Sequence, residues 1–405
     1  MAAIRPFRAL RPARDTAAAV SSVPYDVVNT EEARQLASDN PLSFLHVTRS
    51  EIDLPAGTDP YSAQVYEKAR ENLASLRAKA PLVVEDEPSL YFYRLRMGGH
   101  EQTGIAACFS VDEYEHDVIK KHEKTRPDKE DDRTRHIIGV RAQTGVVFLT
   151  YKASEAVDRL CRAVTADAPL YDFRADDGVH HTLWKVGARE TSELVDAFGR
   201  IPALYIADGH HRAASAARAR AEMRKRGDSV EADTFIAVAF PDNQMNILAY
   251  NRVVKDLSGQ TPRQFLEALK ARVPVKEGAA TPKGKGEVAM YLDGKWYAID
   301  LSGTAPADRS RASSLDVALL QQHVLEPLLK IGDVRTDTRI DFVGGARGTA
   351  ALEKAVTGGR AAVAFSMHPV TIDDLMAIAD EGGIMAPKST WFEPKLRDGL
   401  LVHVI

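Results

Sequence analysis

The sequence predicts a two-domain α/β protein of the α+β kind, in which helices alternate with strands and some strands come as hairpins. Three observations carry this. The chain has 405 residues, more than one ordinary domain holds. Short runs rich in Val, Ile, Phe and Tyr alternate with amphipathic stretches, and Gly or Pro marks the joins. Composition shifts near residue 256, which divides the chain into a first domain, 1–255, and a smaller C-terminal α/β domain, 256–405.

Residues 1–30 read as extended and turn-rich, because Pro24 disfavours helix at Val23. A helix follows to about Asp39, with Thr30 as its N-cap. Asp59 to Ala80 gives a second helix, stopped by Pro81. Leu90–Leu95 and Gln102–Val111 form a hairpin about Met97–His100. Asp117 to His136 is a dense charged stretch, expected as a solvated face or mobile loop. Val146–Thr150 is a strand, Glu155–Val164 a helix, Gly178–Val186 a strand and Glu190–Phe198 a helix. The strand from Leu204 runs into a helix that ends near Gly227, followed by strands at Thr234–Phe240 and Ile247–Val254. In the second domain 278–286 is a loop. Val288–Leu301 is a hairpin turning at Asp293-Gly294, and Leu315–Ile331 is an amphipathic helix. Phe342, Leu352–Val356 and Ala361–Phe365 suggest strand, helix and strand. There is no internal repeat and no low-complexity tail.

Hydrophobic content of 44% and charged content of 27% fit a globular chain with an ample core. A net charge of −4 argues against nucleic acid or anionic membrane as partner. Cys108 and Cys161 lack CxxC spacing, which argues against a disulfide framework or zinc knuckle and for a reducing compartment. The opening MAAIRPFRALRPAR has no signal-peptide core, and no run approaches the ~18 apolar residues of a membrane span. The expectation is a cytoplasmic protein; a homo-oligomer is left open.

The most informative string is Asp208-Gly209-His210-His211-Arg212, set between an apolar strand and an alanine-rich helix. A helix start leaves N–H groups unpaired and carries partial positive charge, so anions bind there. Gly209 lets a phosphate approach the backbone, and Arg212 offers a two-pronged donor. Asp208 can hold Mg²⁺ on the same phosphates or fix the turn, and His210 or His211 can donate to phosphate. A cap, a surface histidine and a salt bridge would explain any one of these alone; four at one junction favour phosphate. Adjacent helical residues point about 100° apart, so the two histidines are not expected to share a metal. No GxxxxGK[ST] or GxGxxG loop occurs, and the glycines of 344–348 read as a tight turn.

A second candidate is His122-Glu123-Lys124-Thr125, where Glu123 would take a proton from a hydroxyl nucleophile. Nearby Asp131, Asp132, Arg133 and His136 make a polar segment that could close over a substrate. Tyr25-Asp26 is a third candidate, against a plain turn with a core tyrosine. Lys388-Ser389-Thr390, with Phe392 and Pro394-Lys395, is a fourth, against a structural plug or a loop to a neighbouring subunit.

Val23-Pro24-Tyr25-Asp26-Val27, His122-Glu123-Lys124-Thr125, Asp208-Gly209-His210-His211-Arg212 and Lys388-Ser389-Thr390…Phe392…Pro394-Lys395 resemble, in this order, the bacterial and archaeal family called domain of unknown function 1015. Ala386 and Glu393 depart from its pattern. That family is distantly similar to the ParB/sulfiredoxin-like fold, where a Gly-x-x-Arg turn opens a helix that holds nucleotide phosphates. The resemblance thus implies a ParB/sulfiredoxin-like N-terminal domain with insertions. Free-serine kinases of that fold carry a His-Glu motif and an Asp-Gly-x-His-Arg motif, which His122-Glu123 and 208–212 match. The resemblance implies a small-molecule kinase with ATP or ADP as donor and Mg²⁺ as cofactor, most concretely making O-phosphoserine from L-serine. Glu123, His122 and Asp208 would be catalytic, with Asp208 on the metal. Gly209, His210, His211, Arg212 and Thr125 would bind phosphate, and Tyr25, Asp26, Arg133, Lys388, Ser389 and Thr390 the acceptor. The alternative is a ParB-like regulator that binds nucleotide without chemistry and leaves Glu123 idle.

Overall fold

The computed structural model of the chain describes residues 2–227 and 230–405. It is a mixed α/β structure of two compact units. The first comprises residues 1–121, 125–245 and 394–405; the second comprises 122–124 and 246–393. The division therefore falls at 246, ahead of the composition shift near 256. The final twelve residues also return to the first unit, because the strand Val402–Val404 pairs with Ala9–Arg11 and Ala142–Gln143.

The first unit is built on a mixed sheet of nine strands. Its centre is Val147–Tyr151, antiparallel to Leu204–Asp208 on one side and parallel to Thr234–Pro241 on the other. Ile119–Lys120 runs parallel to Leu204–Asp208 and forms that edge of the sheet. Beyond Thr234–Pro241 come His100–Ser110, Tyr91–Met97, His180–Lys185 and Tyr171–Arg174. Apolar side chains from these strands share one core, including Phe92, Phe109, Leu149, Ile206 and Phe235. Ala213, Ala216 and Ala217 of the helix His210–Lys225 join that core. Alanine favours helix and, being small, lets the helix axis lie close to the sheet.

The second unit holds a six-stranded sheet in which Glu287–Leu292 and Lys295–Asp300 are the expected hairpin. Asp293 and Gly294 have φ of 48° and 79°, both positive as a tight two-residue turn requires. Glu155–Val164 is helix as read, and Gly227, at φ 75°, follows the helix as its left-handed stop.

Other elements differ from the sequence reading. The cap at residue 30 belongs to Asn29, whose side chain accepts from Glu32 N while Glu32 reaches back to Asn29 N. The second helix starts later, at Ala63, after a turn. Ile247–Val254 is split into Ile247–Leu248 and Tyr250–Val254. The amphipathic helix after Leu315 opens into a π turn at Gln321–Leu325, where Pro327 lacks the N–H of a regular ladder. Ile372–Asp380 is a helix that was not anticipated. The largest change is Pro127–Val140, a 14-residue helix in the charged stretch, with Asp132, Thr134, His136, Ile137 and Val140 buried. No helix among the described residues is long and apolar enough to cross a membrane. Cys108 and Cys161 are free thiols, and burial pushes both pKa values up, Cys161 to about 11.

Gly399 joins the returning segment to the first unit's interior. Its φ is 88°, and a Cβ there would lie 2.7 Å from Cγ of the buried Phe44. Gly399→Ala should cost about 2–4 kcal/mol by combining strain with overpacking. Gly57, at φ 85° with nothing within 4 Å, should cost only about 1 kcal/mol on the same change. Urea unfolding midpoints of the two variants test this; equal losses would refute the packing term.

Candidate functional site

The strand Leu204–Asp208 does not end regularly. Its register against Val147–Tyr151 shifts between Ile206 and Asp208, a bulge that re-aims the last residue. Gly209 follows at φ 97°, a conformation that side chains rarely adopt, and the helix starts at His210. A Cβ on Gly209 would meet Arg212 Cδ and Nη1 at 3.4 Å, an ordinary contact, so the positive φ is what calls for glycine. No side chain caps this helix. Its first turn therefore offers N–H groups that lack an intrahelical acceptor. His210 is buried. His211 Nε2 accepts from Arg126 N at 3.0 Å, so that nitrogen carries no proton in this arrangement. Thr125 donates to Glu130 Oε1.

Arg212 turns inward. Its Nη1 donates to Val146 O at 2.5 Å and its Nη2 to both oxygens of Asp26, at 3.0 and 2.8 Å. The guanidinium side chain is 5% exposed, the Asp26 side chain 36%. Burial opposes its charge, but Asp26, Asp208 and Asp398 outweigh that and hold it protonated. The fork expected to face phosphate is thus committed to Asp26 and a carbonyl. Tyr25 packs beneath two cations, with Arg133 4.2 Å and Arg212 5.9 Å from its ring centre. Burial, aided by Asp26, pushes its phenol pKa up.

The segment expected to close over a substrate is instead packed helix. Asp132 accepts from Tyr66 Oη at 2.9 Å and from Arg133 Nε at 2.8 Å. His136 Nε2 lies 3.0 Å from Thr144 Oγ1, and burial plus the Arg133 charge depress its pKa. Tyr25, Arg133, His136, Thr144 and Arg212 border a cavity of about 20 Å³. That is room for about one water, so this inner space is too small for a nucleotide.

Of the returning segment, the sequence reading named Lys395 within its fourth candidate without giving it a role, and it overlooked Asp398. Lys395 Nζ sits 2.9 Å from Asp208 Oδ2, at the mouth of the junction. Asp398 is 1% exposed, and its Oδ2 has no hydrogen-bond partner among the described residues. Burial pushes its carboxyl up to about 7, and Asp26 adds to this, against Arg212 and backbone bonds from Val146 and Tyr25. A lysine after proline and an aspartate before glycine carry no local signal; only the fold places them here.

Within the first unit the structure therefore brings together Tyr25, Asp26, Thr125, Arg133 and 208–212. His122, Glu123, Lys388, Ser389 and Thr390 lie in the second unit. There His122 is buried, and its carbonyl accepts from Met385 N at 2.8 Å. Lys388 has φ 57° and its carbonyl accepts from the buried Arg252 at 3.4 Å, while Ser389 donates to Ala386 O at 2.5 Å. The basic run on the helix His210–Lys225 is neutralised: Arg218 pairs with Glu130 and Asp131, Arg220 with Asp112 and Glu115, and Arg224 with Asp233. Among the described residues no group of three or more His, Cys, Asp or Glu side chains could hold a metal.

The family described as protein of unknown function (DUF1015) matches residues 4–318, and the chain belongs to it. No curated protein matches. Among solved structures, a conserved hypothetical protein from Pyrococcus furiosus is 15% identical, over 74% of this chain and 95% of that one, with a TM-score of 0.37. A free serine kinase in complex with AMP is 14% identical, over 73% and 91%, with a TM-score of 0.37. SbnI with a C-terminal truncation, from Staphylococcus aureus, is 13% identical, over 74% and 87%, at 0.41. Likeness at this level identifies neither activity nor substrate.

The Asp398 carboxyl predicts a pH dependence of stability. The folded chain keeps its proton up to about pH 7, whereas an unfolded aspartate releases it near 3.9. This contribution is complete below about pH 4 and is lost as pH rises through 7. Asp398→Asn should therefore match the wild type near pH 3 and exceed it at pH 8, by on the order of a few kcal/mol. Chemical denaturation at the two pH values reads this, and a variant less stable than wild type at pH 8 would contradict it.

Proposed function

We propose that this chain is a small-molecule kinase that moves a phosphoryl group from ATP or ADP to a hydroxyl, most concretely that of free L-serine, giving O-phosphoserine. We place its first unit with the ParB/sulfiredoxin-like domains, enlarged by insertions. The observation that carries the reading is the uncapped start of a 16-residue helix behind a left-handed glycine, with Asp208 and Lys395 before it. Helix starts of this kind take phosphate through N–H groups and dipole. The His122-Glu123 motif adds an acid of the type that phosphoryl transfer requires. Arg126, three residues after Glu123, is bonded to His211.

In this reading Gly209 N–H, His210 and His211 hold the terminal phosphates, and Thr125 and Arg126 steady the segment that follows Glu123. Arg212 positions Asp26, whose half-exposed carboxylate, with Tyr25 and Arg133, belongs to the acceptor side; Lys388, Ser389 and Thr390 complete it. Glu123 takes the hydroxyl proton as the acceptor oxygen bonds to the terminal phosphorus, and His122 supports that carboxylate. The bond from phosphorus to the bridging oxygen breaks, and the shortened nucleotide leaves with that electron pair. One carboxylate plus substrate phosphates suits Mg²⁺, so Asp208 fits it only together with the nucleotide. Bound there, Mg²⁺ would supply charge neutralisation of the phosphates. Positioning and charge neutralisation are most of what this chemistry needs.

The second reading, a nucleotide-binding regulator, needs only the junction. Glu123→Ala separates the two. The kinase reading expects O-phosphoserine, detected by mass spectrometry with serine, Mg²⁺ and ATP or ADP, and a loss of about 10²–10⁴-fold in turnover on Glu123→Ala with nucleotide binding kept. Wild-type protein that binds nucleotide yet phosphorylates neither serine nor related hydroxy compounds leaves the regulator reading standing.

A further inference from the structure

We propose that Lys395 is the cation that meets the ligand's phosphate at this junction, and that Asp208 holds its ammonium until the phosphate arrives. The inference rests on the nucleotide-binding part of the function proposed above.

The sequence offers Arg212 for this task, and the structure spends it elsewhere. To grip phosphate Arg212 would give up Asp26 and the Val146 carbonyl, stranding a buried acceptor and an ion-pair partner. Lys395 faces no such loss. Its side chain is 16% exposed and the Asp208 side chain 30%, so both ends of the pair reach solvent. Asp208 directly precedes Gly209, which puts the ammonium beside the helix start rather than beneath it. A lysine suits an exchange of partners, with a compact charge and three rotatable donors on a flexible stem.

The backbone behind it is fixed. Arg397 N donates to Tyr93 Oη at 3.3 Å, and its side chain donates to His181 Nε2 at 3.4 Å and Asp177 Oδ2 at 2.6 Å. Asp398 and Ser22 exchange backbone hydrogen bonds at 2.9 and 3.1 Å. Movement is thus confined to the Lys395 side chain.

Charge balance gives the pair its function. Asp26 pairs with Arg212 and Lys395 with Asp208, so an anion at the helix start competes with Asp208 for the ammonium. A polyphosphate carries more charge than one carboxylate and draws the ammonium across. Asp208 is then a competitor for Lys395 in the absence of metal, and the two residues have opposite effects on binding.

The test is titration of ADP in EDTA, free of divalent metal, into wild type, K395Q, K395R, D208N and the K395Q/D208N double variant. K395Q should weaken binding about tenfold or more, K395R should stay within about threefold, and D208N should tighten it. The gain from D208N should vanish in the K395Q background, because it acts through the released ammonium. Binding by K395Q equal to wild type overturns the proposal, and so does a D208N gain of the same size with or without Lys395. If K395Q does not fold, by circular dichroism and melting, K395R and D208N still decide, since no gain from D208N is a refutation. Wild-type protein that binds ADP neither with nor without Mg²⁺ overturns the nucleotide reading itself, and this role with it.

Discussion

The buried pair of Arg212 with Asp26 is the interaction on which the rest of the first unit's site depends. It fastens four distant pieces of chain at one point. Arg212 brings the helix start, Asp26 the N-terminal segment, Val146 the entry to the central strand, and Asp398 lies close enough to feel both charges. Breaking such a pair leaves an uncompensated charge indoors, which typically costs about 3–5 kcal/mol. The same commitment fixes the third residue of the helix against the N-terminal segment, while Gly209, lacking a side chain, leaves the helix start without a side-chain cap.

Local chemistry made much of the architecture legible in the sequence, and long-range pairing hid the rest. Asp293-Gly294 announces its turn because both residues must take positive φ, and the alanine run after Arg212 announces helix through propensity and spacing. The strand–glycine–helix order at 204–212 is legible for the same reason. By contrast, Pro127–Val140 reads as a solvated charge run until Tyr66 and Thr144 arrive to satisfy Asp132 and His136. The Pro at its first position was the available signal. Partners of the site residues were beyond reach. Asp26 lies 186 residues from Arg212, and Lys395 lies 187 from Asp208. Residue types at a junction show which charges meet there; which side chains pair with them depends on partners that no local pattern links.

The second unit shows a related economy of charge. Arg252 is fully buried without a carboxylate, its pKa lowered by burial to about 10. It spends its donors on the carbonyls of Tyr250 and Lys388, near the ring of Phe342. A guanidinium used this way fixes backbone, and here it ties the Lys388-Ser389-Thr390 turn to Tyr250–Val254, the strand next to one edge of that unit's sheet. In both units, then, a buried arginine holds the chain in place beside one of the sequence motifs.

The return of residues 394–405 to the first unit has a consequence for how the protein is made. The strand Val402–Val404 sits between Ala9–Arg11 and Ala142–Gln143, joining pieces that are synthesised hundreds of residues earlier. Until those residues leave the ribosome, the small sheet lacks one of its two inner strands, and the junction lacks Lys395 and Asp398. A nascent chain that has already formed its central sheet and the helix His210–Lys225 therefore still lacks Lys395 beside Asp208 and Asp398 near Arg212. A chain interrupted before residue 394 has the helix start without either of these residues.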